Sequence, residues 1–143
     1  MKAIYEKIDL NKTRKEARKH LHPLGKKMMQ QEIMQYMHYT SSVISIAESS
    51  ADGNKILNAL EKMEKDNSEI KEYICKVISC IYRLEEIQRE ALLGKYLKKW
   101  DDEEKVRYLN KSLSSINNLI REAEVDFAIL FGCVVYKEEG TDI

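Results

Sequence analysis

Proline is almost missing from this chain: Pro23 is the only one in 143 residues, and there are only five glycines. With the two strongest helix breakers so rare, a helical chain is favoured. No long β-branched run with strict alternation occurs, so there is little basis for a sheet. Cysteine is sparse too. Cys75, Cys80 and Cys133 make an odd number, and no pair has Cys-x-x-Cys spacing. A disulfide framework or a zinc ribbon is therefore not expected, and a reducing cytosol fits. Cys75 and Cys80 stand among Ile74, Val77, Ile78 and Ile81, which predicts core thiols. No apolar run is long enough to span a bilayer, and the first residues carry charge in place of an apolar signal core. The expected location is the cytoplasm, with no membrane partner.

Chemical motifs are missing as well. There is no Gly-rich phosphate loop, no Ser-His-Asp set and no cluster of metal ligands. His20 and His22 splay apart at their spacing on a helix, and His38 brings no carboxylate to complete a set. No enzyme, no metal and no cofactor is expected.

What is there is charge and helical periodicity. Charged residues make up 34% of the chain and apolar ones 43%. A chain this long buries a core without cross-links. The formal net charge is zero but unevenly spread. Residues 1–30 hold nine Lys or Arg against three acids, and residues 101–143 hold five against ten. A basic start and an acidic end hint at an anionic partner for one of them. The organisation expected is a basic N-terminal helical arm with a Ser-rich loop over 1–53, then a helical core over 54–143.

In the arm, Asn11 is a plausible N-cap for the helix that follows. Ala17, Leu21 and Leu24 mark one face, while Lys12, Arg14, Lys15, Arg18 and Lys19 crowd the others. These five are candidate phosphate contacts, set against a solvated helix face. Pro23 interrupts this helix or starts the next one, and the apolar row resumes as Met28, Met29, Ile33, Met34 and Met37, which predicts one kinked helix or two in series over roughly 11–38. Residues 38–54 are Ser-rich and aperiodic and read as a loop. A short helix over 54–66, a break at Asp66-Asn67-Ser68 and a second helix follow. That second helix carries Ile70, Ile74, Val77, Ile81 and Leu84 as a heptad-like stripe, either a core seam or a dimer face.

Residues 84–132 hold the most informative pattern. Glu85-Glu86 opens a helix whose Ile87, Ala91, Leu92, Tyr96 and Leu97 face inward, with Lys98 and Lys99 at its end and Trp100 closing the core. Asp101 or Asp102 caps a short helix with Val106 and Leu109 buried. Asn110 suits a left-handed turn, and Ser112 caps a long helix ending at Gly132. Its inward stripe is Leu113, Ile116, Ile120, Ala123, Phe127 and Leu130. Its other face shows Ser114, Ser115, Asn117, Asn118 and Arg121, with no carboxylate until Glu122. A short helix, a tight turn and a long helix with a polar leading face is the pattern of a helix-turn-helix. Asn bonds an adenine edge in two places, Arg a guanine edge, and Ser a phosphate. Lys111 in the turn joins this set, and Lys98 and Lys99 join the candidate phosphate contacts.

Three stretches resemble a known family: KIDLNKTRKEARKHL near the start, ADGNKILNAL in the middle, and REALLGKYL with YLNKSLSSINNLIREAEVDFAILFGCVVYKEE at the end. The chain is similar to the ArpU-type phage transcriptional regulators, relatives of late-gene activators that end in a domain like region 4 of sigma factors. The resemblance implies an all-α helical bundle with a C-terminal, sigma region 4-like helix-turn-helix. It implies a DNA-binding regulator of phage or prophage genes in a bacterial host cytoplasm. Double-stranded DNA is the expected partner, with RNA polymerase and a second copy of the chain as further candidates. By position, Ser112 is then the cap, and Ser114, Ser115, Asn117, Asn118 and Arg121 face DNA. The alternative is a helical protein-interaction module with a degenerate helix-turn-helix, which the weak basic field favours.

Overall fold

The structure is a computed structural model. It describes residues 6–31 and 53–138, with side chains from residue 65 onward in the helix that begins at Gly53. Regular structure among these residues is helical: α1 (Leu10–Leu21), α2 (Gly53–Tyr82), α3 (Glu86–Tyr96), α4 (Asp102–Leu109) and α5 (Leu113–Phe131), with a further helical stretch over 24–31. The one pairing of extended backbone among them is an isolated antiparallel bridge between Ile8 and Tyr136. No helix among the described residues is long and apolar enough to cross a membrane.

Two compact units divide the chain. One comprises Met1–Gly25 with Lys76–Ile143, the other Lys26–Cys75. The division does not fall at residue 53: the basic first helix groups with the C-terminal helices. The cause is long-range packing. α5 contacts α1, α3 and α4, so it is the central helix of the first unit. Ile116, Ile120, Ala123, Phe127 and Ala128 of α5 are buried, as are Ala17 and Leu21 of α1, Ala91, Leu92 and Tyr96 of α3, and Leu109 of α4. Val77, Ile81 and Leu84 are buried too, so this part of the heptad-like stripe is a core seam within the chain.

Local chemistry sets the helix ends. Asp9, not Asn11, caps α1, its carboxylate accepting from the Lys12 amide at 3.1 Å. Asn11 lies one residue inside and accepts from Arg14. The choice is tertiary: the Asp9 amide donates to the Val135 carbonyl at 2.9 Å, which holds Asp9 extended just before the helix. Pro23 ends this helix as expected, with turn residues at 22–23. The break expected at Asp66-Asn67-Ser68 does not occur, and α2 runs through it for 30 residues. Asp, Asn and Ser each lower helix propensity only modestly, and Met63 and Ile70, spaced seven, stand on one helical face with Asn67 between them. The Ser-rich loop expected over 38–54 lies outside the described residues, except for Gly53 and Asn54, which begin α2. His38 lies outside as well.

Other side chains differ from expectation. Cys75 is exposed on α2, while Cys80 is buried and Cys133 half-buried. Burial pushes the Cys80 and Cys133 thiols up from their ordinary value. Leu130 is exposed, because the final turn of α5 carries it past the packed face. In the second unit, Lys27, Gln30, Asp66, Glu69, Ile70 and Tyr73 line a cleft of about 450 Å³. Burial there pushes the Tyr73 hydroxyl up to about 12.

Candidate functional site

The α4–turn–α5 segment is held by three local devices. Asp101 caps α4, accepting from the Glu104 amide at 2.8 Å, while the Glu104 carboxylate accepts from the Asp101 amide at 3.3 Å. This reciprocal pair occupies two of the four acids at 101–104. A third, Asp102, pairs with Lys105 at 3.6 Å. Asn110 then takes the left-handed conformation with φ 53, where its short polar side chain costs less than others. Ser112 caps α5, its hydroxyl accepting from the Ser115 amide at 3.3 Å.

One expectation fails in α4. Val106 is 40% exposed and does not pair with Leu109 in the core. Lys105 lies inward instead, its side chain only 14% exposed. Positions 105 and 109, spaced four, share the packed face, and the lysine stem covers apolar surface while its ammonium reaches Asp102.

Trp100 does not close the core but stacks on Tyr108 with ring centroids 4.8 Å apart. Its other neighbour is Gly94, where an added Cβ would sit 2.1 Å from the indole Cε3. Gly94 is therefore the residue that lets the indole lie against α3. The Lys98 ammonium lies 5.2 Å from the Trp100 ring, and the Arg107 guanidinium 4.9 Å from Tyr108. Lys98 and Lys99 are exposed in the turn after α3, and Lys99 holds φ 56.

Ser114, Ser115, Asn117, Asn118 and Arg121 are all exposed on α5, and Lys111 is exposed in the turn. The structure therefore brings the seven expected residues from Lys111 to Arg121 onto one capped turn and the first three turns of one helix. The candidate contacts of α1 separate into two groups. Lys12 and Lys15 are exposed, and Arg14 is half-buried. Lys19 is tied to Glu16 at 2.8 Å, which holds the Glu16 carboxyl below its ordinary range. Arg18 leaves the candidate set: its Nε donates to Oε2 of Glu124 at 2.9 Å. Among the described residues no group of three or more His, Cys, Asp or Glu is placed to hold a metal ion.

Glu124 is the residue that pattern reading missed. It is fully buried on the inner face of α5. The Tyr96 hydroxyl donates to Oε2 at 2.5 Å, Arg18 approaches from α1, and the Lys95 ammonium stands 3.9 Å away. One carboxylate thus joins α1, α3 and α5. The Glu124 hydrogen bond raises the Arg18 guanidinium further, and burial with Glu124 pushes the Tyr96 hydroxyl far above its ordinary value. Burial lowers Lys95, despite Glu124. His22, edge-on to Tyr96 at 5.2 Å, is lowered by burial and then by the charges of Lys95 and Lys99. A signal existed: Glu124 stands four residues after Ile120 and three before Phe127, on the apolar stripe. Gln88 is similar, buried in α3 with its amide donating to Asp126 at 2.8 Å.

Comparison with family models, with curated proteins and with solved structures finds no match for this chain.

Proposed function

We propose that the chain is a sequence-specific DNA-binding transcriptional regulator of phage or prophage genes, of the ArpU type. In this reading α4, the turn and α5 are a helix-turn-helix like sigma region 4, and the helix starting after Ser112 enters the major groove. The carrying observation is the exposed leading face of α5: five short polar or guanidinium side chains over three turns with no carboxylate among them. Two amides, two hydroxyls and a guanidinium suit base edges and phosphates. The positive end of the helix dipole favours an anion there too. The acids at 101–104 weaken this field less than their number suggests, because capping and Lys105 occupy three of them.

A single small module binds weakly, so a second copy or RNA polymerase completes the complex in this reading. The test is selection from a pool of random duplexes at low and then higher salt. A regulator selects a site, and its affinity falls steeply as salt rises. No binding at low salt excludes the reading. With a selected site in hand, Asn117→Ala costs roughly 1–3 kcal/mol at one base position.

A specific observation favours a second reading, a protein-interaction module. Tyr108, stacked on Trp100, is 56% exposed on α4. Such a module binds no duplex at low salt and loses its partner on Tyr108→Ala.

A further inference from the structure

One cleft in the first unit joins the two regions that sequence patterns single out. It has a volume of about 560 Å³ and is lined by Leu10 and Arg14 of α1 and by Asn118, Arg121, Glu122, Val125 and Asp126 of α5. Arg14 and Arg121 are far apart in sequence and lie on different helices, yet both line it. Among the described residues neither guanidinium is in an ion pair, and Arg14 is bonded only to the Asn11 amide oxygen. Asp126 is engaged by Gln88.

We propose that Arg14 and Arg121, with the Asn118 amide, hold one phosphodiester of the DNA backbone beside the groove that α5 enters. The proposal rests on the DNA-binding reading and assigns Arg121 to backbone, not to a guanine edge. Two planar guanidinium forks match the two non-bridging oxygens of a phosphodiester, and charge-assisted bonds of this kind are the strong ones. The cleft itself argues for the backbone as the source. Two carboxylates line it with the two arginines, so its bare charge is near neutral and a free anion gains little there. A phosphate delivered by a duplex already seated on α5 needs no long-range attraction. The site also gives the basic first helix a role through one residue, Arg14, where Arg18 and Lys19 are occupied within the protein.

The experiment uses the full chain and a fluorescent duplex, with affinity measured against salt. The proteins are the parent, Arg14→Gln, Arg121→Gln, the double variant, and Arg83→Gln as a surface control. Each single variant is expected to weaken binding to all sequences alike and to lower the salt slope by up to about 0.9, the contribution of one phosphate. The double variant is expected to lower it by about 0.9 in total, because both arginines serve the same phosphate. Arg83→Gln leaves the slope unchanged. If the parent binds and both single variants keep its slope, the clamp is wrong while the DNA reading stands. If the double variant lowers the slope by about 1.8, the arginines touch separate phosphates and the shared site is refuted. If the parent binds no duplex at low salt, the DNA reading itself fails and the clamp with it. Inorganic phosphate at constant ionic strength is the last arm. Displacement of DNA by phosphate beyond that by chloride from the parent, but not from the double variant, would show a free-phosphate site and overturn the backbone assignment.

Discussion

Glu124 is a fully buried carboxylate whose oxygens are engaged by Tyr96 and Arg18, with Lys95 near. A buried charge of this kind is costly to leave unpaired and not always worth having when paired. Arg18→Met should therefore destabilise the protein by about 1–3 kcal/mol, less than a fully buried broken pair, because the Arg18 side chain is 42% exposed and Tyr96 and Lys95 remain on Glu124. Replacing both partners, in Arg18→Met with Glu124→Leu, should recover most of that loss in urea unfolding. A double variant no more stable than the single one would mean that the network does more than satisfy its own charges. Gly94 is a second residue with a sharp demand. Gly94→Ala brings a methyl group onto the Trp100 indole, and overpacking of this kind costs about 1–3 kcal/mol. The loss should come with a shift in tryptophan fluorescence, and an unshifted spectrum would mean that the indole moves away at no cost. Among the shifted groups, His22 and Tyr96 also make stability depend on pH. His22 is lowered from its ordinary 6.5, so as pH falls below 6.5 the unfolded chain takes up the proton first and stability declines. Tyr96 is raised above its ordinary 10.0, so above pH 10 the unfolded chain loses its proton first and stability declines again. Thermal midpoints across pH should fall on both sides, and His22→Gln should flatten the acid side alone.

Among the elements, α4 and α5 are the ones whose ends were legible in the sequence. Asp101, Asn110, Ser112 and Gly132 act through their nearest neighbours, so local patterns suffice to find them. Ser112→Ala should cost about 1 kcal/mol in stability by removing the cap. Ser114→Ala, on the exposed face two residues after the cap, should leave the unfolding midpoint unchanged. Equal losses from the two would mean that the hydroxyl of Ser112 is not acting as a cap. What was not legible depended on distant partners. Asp9 replaced Asn11 as the cap because Val135 holds it extended. Arg18 left the candidate contact set because its partner lies 106 positions away. α2 continued through Asp66-Asn67-Ser68 because three mildly unfavourable residues do not outweigh the helix-forming residues on either side. The exposure of Ser114, Ser115, Asn117 and Asn118 was legible, since it follows from helical periodicity once Ile116 and Ile120 are placed inward.

At the scale of the first unit, the last residues fasten to the first. The Thr13 hydroxyl both donates to the Val135 carbonyl at 3.1 Å and accepts from its amide at 3.0 Å. The amides of Asp9 and Lys137 add bonds at 2.9 Å each, and Ile8 is buried beside them. Ending the chain at Gly132 removes these four hydrogen bonds, at about 1 kcal/mol each where they are buried. The truncated protein should lose about 2–4 kcal/mol in urea unfolding. An unchanged midpoint would mean that the tail rests on the unit without supporting it.

The same fastening sets an order of events during synthesis. Thr13 and Val135 are separated by 122 positions, and α1 packs on α5. α1 is made before α5, on which it packs, and before Val135, which holds its cap. A nascent chain stalled before Leu113 therefore carries α1 without the helix it packs on and with its cap unsupported. The first unit therefore closes only once α5 and Val135 have been made.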